Sequence, residues 1–454
     1  PSDTWCDADE GWCWRTNLFC GLRDGGQAYF SLDITEVSRE FGQAGDDVLV
    51  RWEFTDVDTL TSSTDSILGN TWSSPAITEI LYQPEGEALD TRVVLIFGGG
   101  KDPAGSNGTP NMGSWLYILD ADSGKPLHIL PVPSIRQPIK KSCSFNPGDL
   151  VTYQFYQECY DHKDENMNQV PGEVRLLDVD RDGLPDWGYF GDFEGRIWKL
   201  NIHDPDPENW GICLFFDTGD KGYENITSSG VVDPSCNGDL SQYGRRNPPA
   251  CVDPSKRRPI LYSPDITAAP NGEGFLIYVG TGHVEETQEA FAPKRNYVFA
   301  LLDEDNVDGC SYAKIWAGEP GSESGWPIEL SEGEKLISPP TISLEPQYPD
   351  YQGEVTFITY DPSVVTNPCA PGVTYEWRVD FSSGRGAFVT QSGRLLRKIQ
   401  HEGFVSINQI GNITIKFNLG GGGTTGESGL QTSPFELEEK NLSGFSGFYY
   451  WWVR

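Results

Sequence analysis

The chain has 454 residues, 37% of them hydrophobic and 12% aromatic, which is enough apolar material for a large core and excludes a disordered polar chain. Its 67 Asp and Glu against 33 Lys and Arg give a formal net charge of −34, which repels nucleic acid and anionic membrane surfaces. No stretch approaches the roughly 20 apolar residues of a membrane-spanning helix. The chain opens on Pro1, without an initiator methionine or a signal-like segment, so a mature or trimmed product is expected. The acidic excess has two readings: solubility in a salty exterior, or carboxylates that collect divalent cations.

Long amphipathic patterns are scarce. Apolar runs of four to eight residues, rich in Val, Ile, Phe, Tyr and Trp, alternate with Gly, Pro, Asn and Asp, as strands and turns do. A degenerate unit recurs along the chain. It opens on a Ser/Pro-rich step, continues as an apolar strand ending in glycine or an aromatic, and closes on aromatic-x-Leu-Asp running into a turn. A half copy, Phe30-Ser31-Leu32-Asp33, comes first. The first full copy has Ser74-Pro75-Ala76-Ile77, then 93–100, then Tyr117 to Asp120. The second has 174–177, Gly188 to Gly191 and Trp198 to Asn201. The third runs through 266–270, 275–282 and Phe299 to Leu301. The fourth has Ser338 to Thr341, 355–360 and Trp377 to Asp380. The closing aromatics at 30, 117, 198, 299 and 377 lie 87, 81, 101 and 78 residues apart, room for about two four-stranded blades each at roughly 40–45 residues per blade. Small sheets stacked radially bury one another and leave few open edges. The expectation is all-β: a modified β-propeller of roughly seven blades with long loop insertions at 101–114, 140–170 and 203–262. One domain is expected over 1–454, with an N-terminal clipped segment at 1–13, core blades at 14–390, and closing strands and an aromatic tail at 391–454. The alternative is an array of β-sandwiches.

Ten cysteines are present and none forms a CxxC pair, which argues against zinc ribbon and thioredoxin chemistry. Cys6 with Cys13, Cys143 with Cys159, and Cys236 with Cys251 are local pairs in loop-like sequence, suited to disulfides in an oxidising compartment. Cys310 with Cys369, and Cys20 with Cys213, remain as the left-over pairings. Reduced, buried cysteines are the alternative.

The sharpest chemical signal is Asp178-Val179-Asp180-Arg181-Asp182-Gly183-Leu184-Pro185-Asp186. Carboxylates at alternate positions, Asp178, Asp180 and Asp182, are spaced to converge on one hard cation. Gly183 permits a sharp turn, the Leu184 carbonyl offers another oxygen, and Asp186 closes the set. Without a counter-ion these carboxylates repel one another. An all-oxygen, flexible shell favours Ca²⁺ over Mg²⁺. The loop is EF-hand-like but lacks a bidentate Glu, since Phe190 follows where that loop would run into a helix. Asp303-Glu304-Asp305 with Asp308-Gly309 is a weaker second cluster. Asp7 to Glu10 and Asp161 to Glu165 read as exposed turn charges.

The run from Asp178 to Leu200 resembles the calcium loop and following strands of the PilY family, the type IV pilus assembly and tip adhesins, in their C-terminal domain. Other segments agree in order: Trp14 to Thr16 into Gly21 to Asp33, Arg51 to Asp56, Ser73 to Ile77, Ile266 to Pro270 before Val279 to Gly282, and Gly325-Trp326, Gly333 to Lys335 and Cys369 to Gly372. The resemblance covers most of 12–385. It implies a calcium-binding propeller on pilus machinery at the bacterial cell surface or pilus tip, exported through the periplasm. It further implies minor and major pilins as partners, adhesion to host or abiotic surfaces, and calcium control of pilus extension, retraction and twitching. The metal set carries over as Asp178, Asp180, Asp182, the Leu184 carbonyl and Asp186. No von Willebrand-type domain and no Arg-Gly-Asp triplet occur, so the roles attached to those elements do not carry over. The tail cluster Phe448 to Trp452 reads as a closing strand or a contact surface for pilins.

No catalytic constellation accompanies these features. The five histidines, His128, His162, His203, His283 and His401, form no HExxH or other close pair, and there is no G-x-S-x-G elbow or Walker loop. Two alternatives share the propeller. An integrin-α-like FG-GAP adhesion module would repeat the calcium loop in several blades. A quinoprotein dehydrogenase would carry a vicinal Cys-Cys pair, which this sequence lacks. The reading is a non-enzymatic protein whose metal is structural or regulatory.

Overall fold

The structure is a computed structural model. It describes residues 15–35, 49–55, 67–103, 112–132, 150–152, 154, 169–219, 257–270, 272–282, 295–304, 309–310, 312–316, 318, 325–344, 353–362, 372–387, 398 and 400, together with the backbone alone at 6–7, 12–13, 345–346, 351–352, 388–389, 395–396, 399, 401, 405–410, 413–418 and 435–439.

Strands dominate. β1 (Cys6–Asp7) and β2 (Trp12–Cys13) form a small ladder. Sheet I contains β3 (Asn17–Gly21), β4 (Tyr29–Asp33) and β5 (Leu49–Phe54). Sheet II contains β6 (Ala76–Tyr82), β7 (Asp90–Gly98), β8 (Trp115–Asp120) and β9 (Pro126–Pro131). Sheet III is β10 (Arg175–Leu177), β11 (Trp187–Gly191), β12 (Arg196–Asn201) and β13 (Gly211–Asp217). Sheet IV is β14 (Asp265–Ala268), β15 (Phe275–Gly280), β16 (Tyr297–Asp303) and β17 (Lys314–Ile315), with β18 (Ile328–Glu329) also on β16. Sheet V joins β19 (Lys335–Leu336), β20 (Thr341–Pro346), β21 (Tyr351–Asp361), β22 (Val373–Asp380) and, past the β23 (Phe388–Val389) and β24 (Leu395–Leu396) ladder, β25 (Lys398–His401). β26 (Val405–Ile410), β27 (Ile413–Asn418) and β28 (Phe435–Glu439) form sheet VI. All pairings are antiparallel, and sheets II and III are plain four-stranded meanders, as propeller blades are.

Alternation along each strand explains the stacking. In sheet III, Phe190, Trp198 and Leu200 join a core shared with sheets I and II. Their neighbours Trp187, Tyr189 and Ile197 point the other way, into a core shared with Ile277, Val279 and Phe299 of sheet IV. Leu276, Tyr278 and Val298 of sheet IV then meet Val355, Phe357 and Trp377 of sheet V. Each such buried side chain contributes about 1.5–3 kcal/mol, so a central blade is held from both faces. The glycine that ends the second strand of sheets II, III and IV has a packing reason. A Cβ on Gly191 would lie 2.1 Å from Ile260 Cγ2, and one on Gly280 would lie 2.5 Å from Leu336 Cδ2. The closing Asp of the repeat makes the turn that follows. Asp120 Oδ1 accepts from Ser123 N at 2.8 Å, and Asp380 Oδ1 accepts from Ser383 N at 2.7 Å.

The all-β propeller architecture expected from the sequence is the one observed, with one correction. The closing aromatics fall on β4, β8, β12, β16 and β22, one per sheet, so among the described residues each repeat supplies one blade rather than two.

Cysteine pairing also departs from expectation. Cys213 of β13 is bonded to Cys310, 97 residues on, and staples sheet III to the segment after β16 of sheet IV; Cys20 is free and half-buried. The pairings Cys20 with Cys213 and Cys310 with Cys369 are therefore wrong. Blade stacking, which sequence distance does not reveal, brings Cys213 and Cys310 together. The β1–β2 register sets Cys6 opposite Cys13. Cys143, Cys159, Cys236, Cys251 and Cys369 lie outside the described residues, as do the tail cluster at 448–452 and His283. Opening so long a loop costs about 4–5 kcal/mol in the chain-entropy account. Cys213→Ser should lower the unfolding free energy by roughly 2–5 kcal/mol in denaturant titrations, and Cys310→Ser should lower it by the same amount.

Buried charges tie the same blades. Lys199 Nζ lies 2.8 Å from Asp303 Oδ2 across the III–IV boundary, both side chains 1% exposed, and Tyr189 OH donates to the same oxygen at 2.7 Å. In the β11–β12 turn, Asp192 is wholly buried and accepts from Trp198 Nε1 at 2.7 Å and Arg196 N at 3.0 Å. Burial pushes its carboxyl up from 3.8 to about 6, with Glu194 adding to the rise and Arg196 opposing it. The folded state therefore holds this proton more tightly than the unfolded chain. The resulting stability is full below about 3.8 and is lost as pH rises through about 6. Asp192→Asn should remove a pH-dependent component on the order of 1–3 kcal/mol between those limits, measured as stability against pH.

Candidate metal centre

The acidic run predicted from the sequence is the hairpin between β10 and β11. The ladder closes at Leu177 opposite Trp187, and Asp186 N donates to Leu177 O at 3.0 Å. Nine residues must turn back within that mouth. Arg181 (φ 66°) and Gly183 (φ 95°) take left-handed conformations, and at Gly183 only glycine does so without strain.

The carboxylates themselves shape the turn. Asp178 Oδ1 accepts from Arg181 N at 2.6 Å and its Oδ2 from Gly183 N at 2.9 Å. Asp180 Oδ1 accepts from Asp182 N at 3.1 Å, and Asp182 Oδ1 from Leu184 N at 2.8 Å. Asp186, 3% exposed, receives Val179 N on Oδ2 at 2.6 Å, while its Oδ1 lies 2.7 Å from His203 Nδ1. Its carbonyl accepts from Ile202 N at 2.9 Å, which fixes the loop to the end of β12.

Three of the expected ligands come together. Asp178, Asp180 and Asp186 each offer an oxygen, and these atoms lie within 4.8 Å of one another. Asp182 lies outside that trio, its Oδ1 turned to Leu184 N. The donors are all oxygen, one is buried and one is exposed to solvent. Such a set fits a hard divalent cation that keeps some water. Sequence spacing gave no hint of His203, because only the return of β12 beside the hairpin brings it to Asp186. Of the weaker cluster, Asp303 is committed to Lys199, and 305–308 lie outside the described residues.

The loop also sits where blades meet. β10 is an edge strand of sheet III, and its Arg175 Nη2 lies 2.7 Å from Asp265 Oδ1 of sheet IV. The other oxygen of Asp265 accepts from Ile342 N of sheet V at 2.8 Å. One buried carboxylate thus joins three blades, two residues from the end of the strand that carries the acidic hairpin.

Fold and site define an all-β propeller domain with a candidate cation loop on an edge strand. No family model matches the chain. It is 23% identical over 413 residues to the type IV pilus biogenesis factor PilY1 homolog of Xylella fastidiosa (strain Temecula1), covering 85% of this chain and 23% of that protein. It is 27% identical over 283 residues to type IV pilus biogenesis factor PilY1 of Pseudomonas aeruginosa (strain UCBPP-PA14), covering 62% of this chain and 18% of that protein. The chain thus spans less than a quarter of the length of either relative. The crystal structure of the Pseudomonas aeruginosa PilY1 C-terminal domain shares the fold, with a TM-score of 0.50 and 15% identity over 89% of this chain and 80% of that one. The chain is thus similar to PilY1 proteins in sequence and shares the fold of the PilY1 C-terminal domain, in line with the resemblance seen in the sequence.

Asp180 is exposed and holds little of the loop, so Asp180→Asn separates metal binding from folding. It should weaken Ca²⁺ binding by calorimetry roughly tenfold or more and leave metal-free stability within about 0.5 kcal/mol. Added Ca²⁺ should raise the melting temperature of the unmodified protein, and Asp178→Ala with Asp182→Ala should abolish both the binding and that rise.

Proposed function

We propose that this chain serves type IV pilus biogenesis as a calcium-binding domain of a PilY-type protein exported through the periplasm to the cell surface or pilus tip. The observation that carries this reading is the convergence of Asp178, Asp180 and Asp186 in a hairpin that follows an edge strand of a PilY-type fold. Calcium would neutralise carboxylates that repel one another and stiffen the hairpin at the end of β10. Through Arg175 and Asp265 the same strand braces sheets IV and V. Calcium occupancy then biases the packing of three blades, a physical route from ion binding to control of pilus extension and retraction.

Residues Asp178, Asp180, Asp182, Asp186 and the Leu184 carbonyl are the proposed ligands. Minor and major pilins are the proposed partners, with adhesion to host or abiotic surfaces as the outward role. The proposed action is binding rather than catalysis. The test is co-purification of the native protein with pilus subunits, together with twitching assays on Asp178→Ala/Asp182→Ala cells. Pilins should co-purify, and the variant should change twitching without loss of the protein. Absence of pilins from the purified protein, with unchanged twitching in a strain lacking it, would overturn the proposal.

A further inference from the structure

The three carboxylates that converge at the β10–β11 hairpin are not held alike. Asp178 and Asp180 are held from inside the hairpin, by the N–H groups of Arg181, Gly183 and Asp182. Asp186 has inside holders too, Val179 N at 2.6 Å and Asp180 N at 3.4 Å, both on Oδ2. Its Oδ1 is held from outside, by His203 Nδ1 at 2.7 Å. An ionised carboxylate has no hydrogen to give, so Nδ1 carries the hydrogen and donates. Donors on both oxygens of one carboxylate fix its plane as well as its position, and this carboxylate is 3% exposed.

The imidazole is itself placed by a braced turn between β12 and β13. Ile202 N donates to Asp186 O at 2.9 Å, and His203 N to Asn201 Oδ1 at 3.2 Å. Beyond it, Asp204 accepts from Asp206 N at 2.8 Å and from Asn209 Nδ2 at 3.0 Å. Asp206 caps the single 3-10 turn Pro207–Asn209 through Glu208 N at 3.1 Å. Trp210 is wholly buried and donates from Nε1 to Asp204 O. The same turn is bound to the neighbouring blade. Gln83 N, just past β6, donates to Pro205 O at 2.7 Å. The Trp210 ring lies 6.1 Å from Tyr82 and 5.8 Å, edge-on, from His128, both of sheet II. The His203 side chain is 41% exposed, so the position supplies a hydrogen bond rather than packing.

We infer that His203 is the positioning residue of this metal centre. Its Nδ1–H holds the Asp186 carboxylate beside Asp178 and Asp180, and the turn behind it ties that orientation to sheet II. A carboxylate free to rotate gives up that freedom when it takes an ion, and one already held at both oxygens has less to lose. Loss of an outer hydrogen bond of this kind weakens metal binding about ten- to a hundredfold. Ion occupancy is thereby felt on both sides of the blade. Arg175 and Asp265 carry it to sheets IV and V, and His203 and Pro205 carry it to sheet II. This role presupposes the metal reading of the hairpin.

Calorimetric titration with CaCl₂ of the unmodified protein, His203→Ala and His203→Asn tests it. Asn sets an amide N–H at about the place of Nδ1. His203→Ala should bind Ca²⁺ roughly tenfold or more weakly, and His203→Asn within about threefold of the unmodified protein. Both metal-free variants should melt within about 2 °C of the unmodified protein, which separates the lost donor from lost folding. Hydrogen exchange gives a second readout. Ca²⁺ should slow the Gln83 amide about fivefold in the unmodified protein and in His203→Asn, but not in His203→Ala. Equal affinity in His203→Ala and the unmodified protein would overturn this role and leave the metal centre standing. Equal losses in His203→Ala and His203→Asn would overturn it too, since the donor would then not be what the histidine supplies. A Gln83 amide indifferent to Ca²⁺ in the unmodified protein would overturn the tie to sheet II. If the unmodified protein took up no Ca²⁺, the metal centre and this role would fall together.

Discussion

The central blades here, sheets III and IV, depend on burying two apolar faces, and neither buries them alone. A strand sends alternate side chains to opposite sides, so a sheet whose residues are apolar at both parities needs a neighbour on each side. Sheets III and IV show the consequence. Phe190 and Tyr189 are adjacent in sequence yet belong to different cores, and so do Ile277 and Tyr278. Radial stacking is the arrangement in which one short sheet after another meets this demand.

Polar ties fix how the blades register once burial has brought them together. The Lys199–Asp303 pair, the Asp265 carboxylate shared by Arg175 and Ile342 N, and the Cys213–Cys310 bond all cross blade boundaries. A buried ion pair gains little over a well-packed apolar pair, but losing one partner strands a charge, at a cost of about 3–5 kcal/mol. Such pairs therefore penalise misaligned packing more than they deepen the correct one. The acidic hairpin belongs to this framework, because its first carboxylate follows directly on β10, the strand that carries Arg175.

Within the hairpin, backbone N–H groups partly offset carboxylate repulsion. Five of them, on Val179, Arg181, Asp182, Gly183 and Leu184, donate to Asp side chains at 2.6–3.1 Å. The loop is thus largely shaped by its own chain, and oxygens of Asp178, Asp180 and Asp186 are left close enough to share an ion. Preorganisation of this kind lowers the ordering cost of binding.

The sequence by itself determined the strand-rich class, the repeat with its closing aromatics and glycines, and the acidic hairpin, because each follows from local spacing: alternation, turn residues and carboxylates two apart. Gly183 was legible for the same reason, as the one residue in the loop suited to φ 95°. What depends on distant segments meeting was not legible. Cys213 finds Cys310 rather than Cys20, His203 reaches Asp186 from beyond β12, and each repeat contributes one described blade instead of two. Only the stacking of sheets decides these matters, since it places residues side by side according to blade order and strand face rather than their separation along the chain.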